Sequence, residues 1–388
     1  MLIGLSPHHE QFRGEVRDFC GKVAAPALAD YDLDQPPSPQ QWAQILNHVL
    51  DKGILDEYPR TEDGSPDDLA FGLLLEELAR THHVLAYHSL QRLHAPLIFR
   101  EMLSAEQATR YHAAFNDRRA SVAGCFSEPE AGSDVRAAKT TARRTPEGDW
   151  ILKGRKTWVS GASHAKALIV YARIVNDASE GSLGDCGLFI VTPECGYSTH
   201  PIRMMGLRAH DLCEVQFDDV VLPDISRLIG NVDGAVLGTI ARARAFQGAI
   251  AVGLAQAALD MAIGYARRHN AFGHPIGEYQ LVQKLIVEAA TGVMTGRLMY
   301  VQALNSQMAG DGSTARMESS MAKLYCTQTA WRAVSKAMEV FGSLGLTEEC
   351  GIERLFRDAR MLICPDGTSQ IQEMVIGRAY TGLSALAR

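Results

Sequence analysis

Residues 149–160, DWILKGRKTWVS, decide the fold class because they form the clearest β-strand in a chain whose flanking parts are helical in pattern. The segment contains Trp, Ile and Val and is bounded by Asp149 and Gly161, which is typical of a strand. Three similar segments follow, at 167–175, 186–193 and 213–222. No helical segment separates these strands, so they predict an antiparallel sheet rather than a parallel sheet with crossover helices.

Helical patterns lie on both sides of this predicted sheet. Ser65 and Pro66 precede acidic and then apolar residues at helical spacing, which predicts the start of a helix. Further N-terminal helices are predicted over 7–26, 39–52, 86–102 and 105–115. C-terminal Ala-rich runs predict the members of a four-helix bundle, at 233–268, 278–309, 315–341 and 369–386. The predicted fold is α+β in three domains: N-terminal helical (1–121), middle antiparallel β (122–228) and C-terminal four-helix bundle (229–388).

The composition excludes several classes of protein. With 46% hydrophobic residues, 21% charged residues and a formal net charge of -7, the chain has no basic excess for binding nucleic acid. Eight cysteines without a CxxC pair predict reduced thiols in a cytoplasmic protein and no zinc site. The N-terminus is too polar for a signal peptide, and no GxGxxG follows a strand, which argues against a Rossmann fold.

One apolar stretch, 245–266, is long enough to span a membrane. It contains Gln247, Gln256 and Asp260, and its apolar residues are largely Ala and Gly. Small side chains allow a neighbouring helix to approach closely, so we predict a buried bundle helix and no membrane partner.

Four segments, in order along the chain, resemble the acyl-CoA dehydrogenase family. Residues 125–134 (CFSEPEAGSD) are similar to the family signature T-E-P-x-A-G-S-D, and 154–161 (GRKTWVSG) to its G-x-K-x-W-I-T-N strand. Residues 265–280 (YARRHNAFGHPIGEYQ) are similar to its Y-A-x-x-R-x-x-F-G helix and turn. The fourth segment joins IERLFRDAR to DGTSQIQ within 352–372, and FDDVVLP at 217–223 adds a fifth match.

The resemblance implies FAD as the cofactor, between the β domain and the bundle, with its adenine half reaching a neighbouring subunit. Trp158 is then expected to cover the flavin ring, and the Ser160 hydroxyl to meet flavin N5 in place of the usual threonine. By residue type alone, Trp158 is more typical of a core and Thr368 of a helix cap. The implied cofactor-binding residues are Phe126, Ser127, Ser133, Trp158, Ser160, His269, Phe272, Gln280, Glu339, Gly342, Ser343, Thr368 and Gln370.

Two positions depart from the family pattern. His269 stands where the family has an arginine that pairs with the FAD pyrophosphate, and histidine can be neutral at pH 7. Glu339 stands where the family has a glutamine before its Gly-Gly turn, which is Gly342-Ser343 here. Because a carboxylate repels phosphate, we expect Glu339 to turn away, to be neutralised or to meet another group. These departures predict a weak or assembly-dependent grip on FAD.

Asp366 is implied to be the catalytic base. The family reaction is α,β-dehydrogenation of an acyl thioester, in which a carboxylate removes the α-proton as the β-hydrogen leaves as hydride. Most members have a glutamate before a Gly-Thr pair, and here that residue is Asp366. A minority place the base one residue before the arginine that matches Arg244, and that position is Ala243. Aspartate is shorter by one methylene, and Pro-Asp-Gly alone would indicate an ordinary turn.

The implied substrate is an acyl thioester of CoA or of a carrier protein, contacted by Ser133, Arg244 and Gly367. The segment 86–98 matches, by position, the family region that lines the acyl pocket. Its polar residues are Tyr87, His88, Ser89, Gln91, Arg92 and His94. They predict either a pocket for a short, polar or cyclic acyl group or a helix face in solvent. The histidines of 82–94 lack a ligand pattern for metal.

The implied partners are an electron-transfer flavoprotein or similar acceptor and further copies of the chain, in a homotetramer or homodimer. Two alternatives keep the fold and change the function. The missing glutamate and the altered pyrophosphate contacts suggest a flavin-dependent monooxygenase, which would consume oxygen without a thioester. The same departures suggest a catalytically impaired flavin-binding relative.

Overall fold

The computed structural model describes residues 5–29, 53–117, 120–175, 186–229 and 232–385, with scattered positions between 31 and 49, and the side chains of 232–237 excepted. The N-terminal part is helical, as predicted. Its helices are α1 (Pro7–Phe19), α2 (Ala25–Leu28), α3 (Asp68–Thr81), α4 (His83–Ser89), α5 (Ala95–Arg100), α6 (Ala105–Arg110) and α7 (His112–Asn116). The helix predicted over 39–52 falls largely outside the described residues.

Two wide helical turns interrupt the predicted helices 7–26 and 86–102. A π-turn spans Cys20–Ala24 ahead of Pro26, and another spans Leu90–His94 ahead of Pro96. Proline has no N–H and its ring crowds the carbonyl of the preceding turn, so widening that turn keeps the chain helical without a break. The second π-turn lies in the segment that carries the polar residues of 86–98.

The middle part is a seven-stranded sheet. Its strands are β1 (Val122–Cys125), β2 (Thr141–Arg144), β3 (Trp150–Ser160), β4 (Ala167–Val175), β5 (Cys186–Val191), β6 (Ser198–Pro201) and β7 (Leu212–Leu222). They are ordered β1-β4-β2-β3-β7-β6, and β5 pairs with β4. The long predicted strands are confirmed, whereas β1, β2 and β6 have no counterpart in the predicted set.

The prediction of a purely antiparallel sheet is wrong. Strand β4 runs parallel to β1, with Val122 opposite Ala167, and parallel to β2, with Thr141 opposite Arg173. The chain passes from β1 to β4 through the β2–β3 hairpin instead of through a helix. The lack of predicted helices between the strands therefore did not exclude parallel pairing of the strands. The α+β fold class itself is confirmed.

The C-terminal part is a helical bundle. Its elements are α8 (Val232–Arg268), the short strands β8 (Asn270–Ala271) and β9 (His274–Pro275), α9 (Gln280–Met308), α10 (Gly312–Phe341), α11 (Ile352–Met361) and α12 (Ser369–Thr381). The predicted bundle helices are confirmed to within a few residues at most ends. The domain boundaries at residues 121 and 228 stay predictions.

Helix α8 is the centre of the bundle. A Cβ on Gly253 would lie 2.1 Å from the Glu76 carbonyl oxygen, so only glycine allows α3 to approach this closely. In the described chain, one helical segment (Gly238–Arg268) is long and apolar enough to cross a membrane, and 61% of its most apolar window is buried inside the protein. That burial is expected of a core helix in a bundle.

A buried charge cluster ties the N-terminal helices to the bundle. Glu76 on α3 is fully buried and receives hydrogen bonds from Arg297 on α9 at 2.6 and 2.9 Å. Arg13 on α1 donates to the same carboxylate at 2.8 Å, and the Tyr300 hydroxyl donates to it as well. Burying an unpaired carboxylate is costly, so this pairing fixes α3 against α1 and α9.

Candidate active site

Asp366 lies in a tight turn between α11 and α12. Its backbone has a φ of 55°, in the left-handed region that aspartate tolerates better than most residues, and Gly367 follows with a φ of 95°. The sequence Pro-Asp-Gly thus forms a turn, as its composition indicates, and the turn holds the Asp366 side chain half-buried in the protein.

Side chains from two helices brace the backbone of this turn. Arg244 on α8 donates from Nε to the Asp366 carbonyl oxygen at 3.1 Å and from Nη1 to Ser320 Oγ at 3.1 Å. Gln372 on α12 donates from Nε2 to the carbonyl oxygens of Asp366 at 3.0 Å and Gly367 at 2.8 Å. The turn is therefore held by its carbonyl groups, which leaves the carboxylate uncommitted.

Lys323 on α10 is a third brace. Its side chain is fully buried, and its Nζ donates to the carbonyl oxygens of Ile363 at 2.5 Å and Gly367 at 2.8 Å. Burial lowers the pKa of Lys323 to about 8, although the nearby Asp366 carboxylate acts in the opposite direction. Lys323 is still protonated at pH 7 and places a positive charge beside the turn.

The Asp366 carboxylate accepts no hydrogen bond from any described residue. Burial raises the pKa of Asp366 above its usual value, and the positive charges of Lys323 and Arg244 partly oppose this. A carboxylate with a raised pKa and free oxygen atoms has the properties of a general base.

Two of the predicted motifs meet on the β side of the site. The Thr157 backbone N–H donates to the Ser127 carbonyl oxygen at 2.9 Å. The fully buried Lys156 Nζ donates to the Phe126 carbonyl oxygen at 3.1 Å and to Glu128 Oε1 at 2.8 Å. The segment 126–128 is therefore clamped to β3 directly before Trp158.

Trp158 projects from the sheet. It lies at an irregularity in the β3–β7 pairing, has a φ of 60° and is 55% exposed. The interpretation of Trp158 as a core residue is therefore wrong, because the bulge turns the indole outward. An exposed indole with half-buried Phe126 and Ser127 nearby is a surface that a flat aromatic ring can cover.

Helix α4 and its π-turn connect the two sides of the site. Tyr87 is close enough to Asp366 for that carboxylate to raise the pKa of the tyrosine, although burial is the larger cause. Gln91 packs against Gly161, where a Cβ would come within 2.7 Å of both side-chain amide atoms of Gln91. Tyr87 and Gln91 are about one helical turn apart. Asp366 and the Ser160-Gly161 strand end therefore lie over the same helical segment.

The polar residues of this segment are buried, so the interpretation of 86–98 as a solvent-facing helix is wrong. The buried residues are Tyr87, His88, Ser89, Gln91, Arg92 and His94. They are covered by α3, α8 and the loops of the β domain, which periodicity alone did not reveal. Among the described residues, no group of three or more His, Cys, Asp or Glu side chains is arranged to hold a metal.

A second group of predicted residues lies at the far end of the bundle. The Tyr265 ring stacks on His269 at 4.7 Å and on Phe341 at 4.4 Å, which brings 265–269 beside the turn at Gly342. Glu339 lies 3.9 Å from Lys336 Nζ on the same helix, and both side chains are partly exposed to solvent. The role of Glu339 towards FAD stays a prediction.

The two groups lie far apart along the bundle. Arg244 and Arg268 are 24 residues apart on α8, which corresponds to about 36 Å. Lys323 and Phe341 are 18 residues apart on α10, which corresponds to about 27 Å. The structure thus divides the predicted cofactor residues into a group near Asp366 and a remote group.

The other predicted residues lie on the surface or at helix starts. Ser133, Phe272, Gln280, Ser343 and Gln370 are exposed, and the Phe272 side chain is 94% exposed. Thr368 occupies the N-cap position of α12, but its hydroxyl makes no capping hydrogen bond. The hydroxyl and the N-terminal N–H groups of α12 therefore remain available to a ligand.

Sequence reasoning missed Lys323, Gln372, Lys156 and Glu128. Their only signal was position: Lys323 is a lysine in an Ala-rich helix, and Gln372 lies in the first turn of the helix that follows the predicted base. Arg244 was assigned to the substrate, and the structure shows it bonded to the Asp366 turn. Its contact with the substrate stays a prediction.

Two family models match the chain. The acyl-CoA dehydrogenase middle domain matches residues 123–220, and the acyl-CoA dehydrogenase C-terminal domain matches residues 234–381. These segments contain the sheet and the bundle that form the site.

Relatives of known activity match over nearly the whole chain. Cyclohex-1-ene-1-carbonyl-CoA dehydrogenase of Geobacter metallireducens is 33% identical over 94% of this chain and 95% of its own length. The crystal structure of glutaryl-CoA dehydrogenase from Mycobacterium smegmatis superposes with a TM-score of 0.87 at 27% identity, over 99% and 97% of the two chains. A glutaryl-CoA dehydrogenase from the same organism in complex with FADH2 superposes with a TM-score of 0.85 at 22% identity, over 99% and 97% of the chains. With these matches and the observed fold, the chain belongs to the acyl-CoA dehydrogenase family.

Proposed function

We propose that this protein dehydrogenates the Cα–Cβ bond of an acyl thioester, with Asp366 as the general base. The observation that carries the proposal is the Asp366 turn, whose carbonyl groups are held by Arg244, Lys323 and Gln372 while the carboxylate accepts no described hydrogen bond. The turn and the Ser160 strand end lie over the same helical segment, and we place the substrate between them.

The cofactor is FAD, which when bound accepts the hydride from the β carbon. The residues near Asp366 fit it: the exposed Trp158 indole, the half-buried Phe126 and Ser127, and the uncommitted Thr368 hydroxyl at the start of α12. Trp158 excludes water from one face of the site. We assign these residues to the isoalloxazine half of the cofactor.

Proton abstraction then depends on the charge state of Asp366. Desolvation raises the pKa of this carboxyl group, which makes it a stronger base once ionised, while the positive charges of Lys323 and Arg244 favour the ionised form. The braced turn fixes the carboxylate before substrate arrives, so little reorganisation is needed during the reaction. Substrate that seals the cleft strengthens these charge interactions further.

The phosphate-bearing arm of the thioester has a suitable site beside α8. A cavity of about 420 Å³ lies between α5, α8 and the ends of α9 and α10, and its lining includes Arg242 and Arg316. Ala241 also lines it, less than one turn from Arg244. Two guanidinium groups suit a pyrophosphate or a phosphopantetheine phosphate. Free CoA and a carrier protein share this chemistry, and an electron-transfer flavoprotein is the proposed acceptor.

The test compares Asp366→Asn with the wild type. Both are mixed anaerobically with a panel of acyl-CoA and carrier-bound thioesters, and flavin bleaching is followed. We expect the variant to bind FAD and to bleach about 10²–10⁴-fold more slowly. The matched control is Asp219→Asn, because Asp219 also has a positive φ but lies on the surface beside Lys153.

Equal bleaching by Asp366→Asn and the wild type would remove Asp366 as the base. Absence of bleaching with every thioester would overturn the proposed reaction. Oxygen consumption by the reduced enzyme without any thioester would instead support the monooxygenase alternative.

A further inference from the structure

A group of polar side chains lies around Tyr87, which is close enough to Asp366 for that carboxylate to raise the pKa of the tyrosine. We call it the polar cluster: Tyr87, Gln91, His164 and His210. Tyr87 and Gln91 come from α4 and its π-turn, whereas the two histidines come from loops of the β domain. The Tyr87 and His210 rings lie 4.8 Å apart, and Gln91 lies under Gly161. The cluster is therefore built where the N-terminal helices meet loops of the β domain.

Three members of the cluster have unused hydrogen-bonding atoms. Gln91 Nε2, His164 Nε2 and His210 Nε2 are each shielded from solvent and have no hydrogen-bond partner among the described residues. Gln91 itself is only 8% exposed. Native proteins pair nearly all buried polar atoms, and several unpaired atoms in one place indicate a missing ligand or water.

Tyr87 adds a hydroxyl that can also reach a ligand. Its oxygen accepts a hydrogen bond from Gln247 Nε2 at 2.6 Å, so its own proton remains available for donation. The hydrogen bond from Gln247 on α8 fixes the position of this hydroxyl, and the Tyr87 ring packs against the tilted His210 ring. The cluster thus presents donors and acceptors in a rigid arrangement.

The cluster offers no net positive charge. Burial lowers the pKa of His210 to about 3, so its imidazole is neutral at pH 7. His164 Nδ1 faces the Asp211 carboxylate at 3.4 Å, which leaves no surplus cation there. Arg92 is a cation on the same helical segment, but it is not part of the cluster and donates to the Leu55 carbonyl oxygen. A carboxylate on the acyl group would therefore meet no counter-ion in the cluster.

We propose that the acyl group of the substrate carries an uncharged hydrogen-bonding substituent, such as a hydroxyl, ether or amide, which binds the polar cluster. The inference rests on the proposed function. An alkyl or unsubstituted cyclic acyl group would leave the cluster atoms unpaired, and such sites discriminate against a substrate that lacks the polar group.

Matched pairs of CoA thioesters test this inference. Hexanoyl-CoA is compared with 6-hydroxyhexanoyl-CoA and with the charged adipoyl-CoA, and cyclohexanecarbonyl-CoA with tetrahydropyran-4-carbonyl-CoA. The rates of anaerobic flavin bleaching are compared within each matched set of thioesters. We expect at least one uncharged polar thioester to exceed its hydrocarbon partner by about tenfold or more, and the charged one to react worst.

Two variants assign the preference to the cluster. Gln91→Leu removes the amide group. His210→Phe removes the ring nitrogen atoms but keeps an aromatic ring at position 210 that can pack against Tyr87. Each is expected to reduce the preference for the polar thioester over its hydrocarbon partner about fivefold or more. The matched control is Gln302→Leu, because Gln302 is exposed on α9.

Three outcomes would overturn this inference. Bleaching by hydrocarbon thioesters as fast as by their polar partners would contradict it and leave the proposed function intact. If both variants keep the wild-type preference for the polar thioester over its hydrocarbon partner, residues outside the cluster bind the substituent. If no thioester bleaches the flavin, the proposed function fails and this inference fails with it.

Discussion

Asp366 is one methylene shorter than the glutamate that most of the family places here, and its surroundings compensate. The left-handed backbone conformation suits aspartate, and three side chains hold the adjacent carbonyl groups. A short side chain on a rigid turn has few rotamers, so its carboxylate is better fixed than that of a longer one. In the proposed reaction, the position of the turn as well as the length of the side chain therefore sets the reach of Asp366.

Lys323→Met tests the role of the buried lysine at this turn. The substitution keeps the length of the side chain and removes a positive charge that favours the ionised form of Asp366. Since Asp366 acts as a base only when ionised, raising its pKa further moves the acid limb of the activity profile to higher pH. We expect a shift on the order of one pH unit in kcat/KM, measured with the best thioester of the panel.

Lys323→Arg is the comparison, because it keeps the charge and should hold the acid limb near that of the wild type. A reduced rate with an unshifted acid limb in Lys323→Met would assign Lys323 to holding the turn only. Retention of bound FAD shows in each case that the variant is folded.

At the scale of elements, the ion pair between Lys156 on β3 and Glu128 can be tested by its contribution to the stability of the protein. Lys156→Met leaves the Glu128 carboxylate, which is only 6% exposed, without the cation that now bonds to it. Loss of one partner of a buried ion pair costs about 3–5 kcal/mol. Chemical unfolding should show a loss of this size, together with weaker retention of FAD.

The double variant Lys156→Met/Glu128→Gln is the control for this prediction. The uncharged amide that replaces the Glu128 carboxylate no longer needs a cation, and its oxygen can still accept a hydrogen bond from the backbone N–H group of Lys139 or Thr140. We expect about half of the lost stability to return. A loss in the double variant equal to the sum of the losses in the two single variants would show that the pair does not couple.

The elements themselves were largely predictable, because periodicity reports burial along one segment. Helix α9 was predicted over 278–309 and is found at Gln280–Met308, and β4 was predicted at its observed bounds. Parallel pairing of β4 with β1 was not predictable, since it depends on where the chain returns and not on the composition of either strand. The same limit applies to the site.

Motif residues such as Asp366 and Trp158 were found from the sequence because their spacing is local. The bracing residues Lys323 and Gln372 were missed, since a polar residue reveals its role only when the fold buries it. For the same reason the polar residues of 86–98 could be assigned to solvent or to a pocket. Their burial excludes the solvent-facing alternative, and the pocket stays a prediction.

At the scale of the whole molecule, the division of the predicted cofactor residues has a geometric consequence. The remote group around His269 and Gly342 lies about 27–36 Å from the Asp366 turn along the bundle helices. Apolar residues near it are exposed, among them Phe272 at 94% and Leu281 at 78%. Large exposed apolar side chains often mark an interface. We expect a second copy of the chain to place its remote group against this chain's FAD.

Complementation between two inactive chains tests this arrangement. Asp366→Asn removes the base, and Phe272→Asp puts a negative charge into the remote group, where it should repel the phosphates of a neighbour's FAD. Each variant alone should be inactive or depleted of FAD. In a co-expressed mixed dimer, one site combines a wild-type Asp366 from one chain with a wild-type Phe272 from its partner, so that site recovers.

With random pairing, activity should return to about one quarter of the wild-type level, because half of the dimers are mixed and each has one intact site. A chain carrying both substitutions, co-expressed with the Asp366→Asn chain, is the control and should stay inactive, since neither pairing supplies a wild-type Asp366. No recovery in the mixed sample, despite mixed dimers seen by mass spectrometry, would mean that each FAD is held by one chain and that His269 and Phe272 serve another purpose.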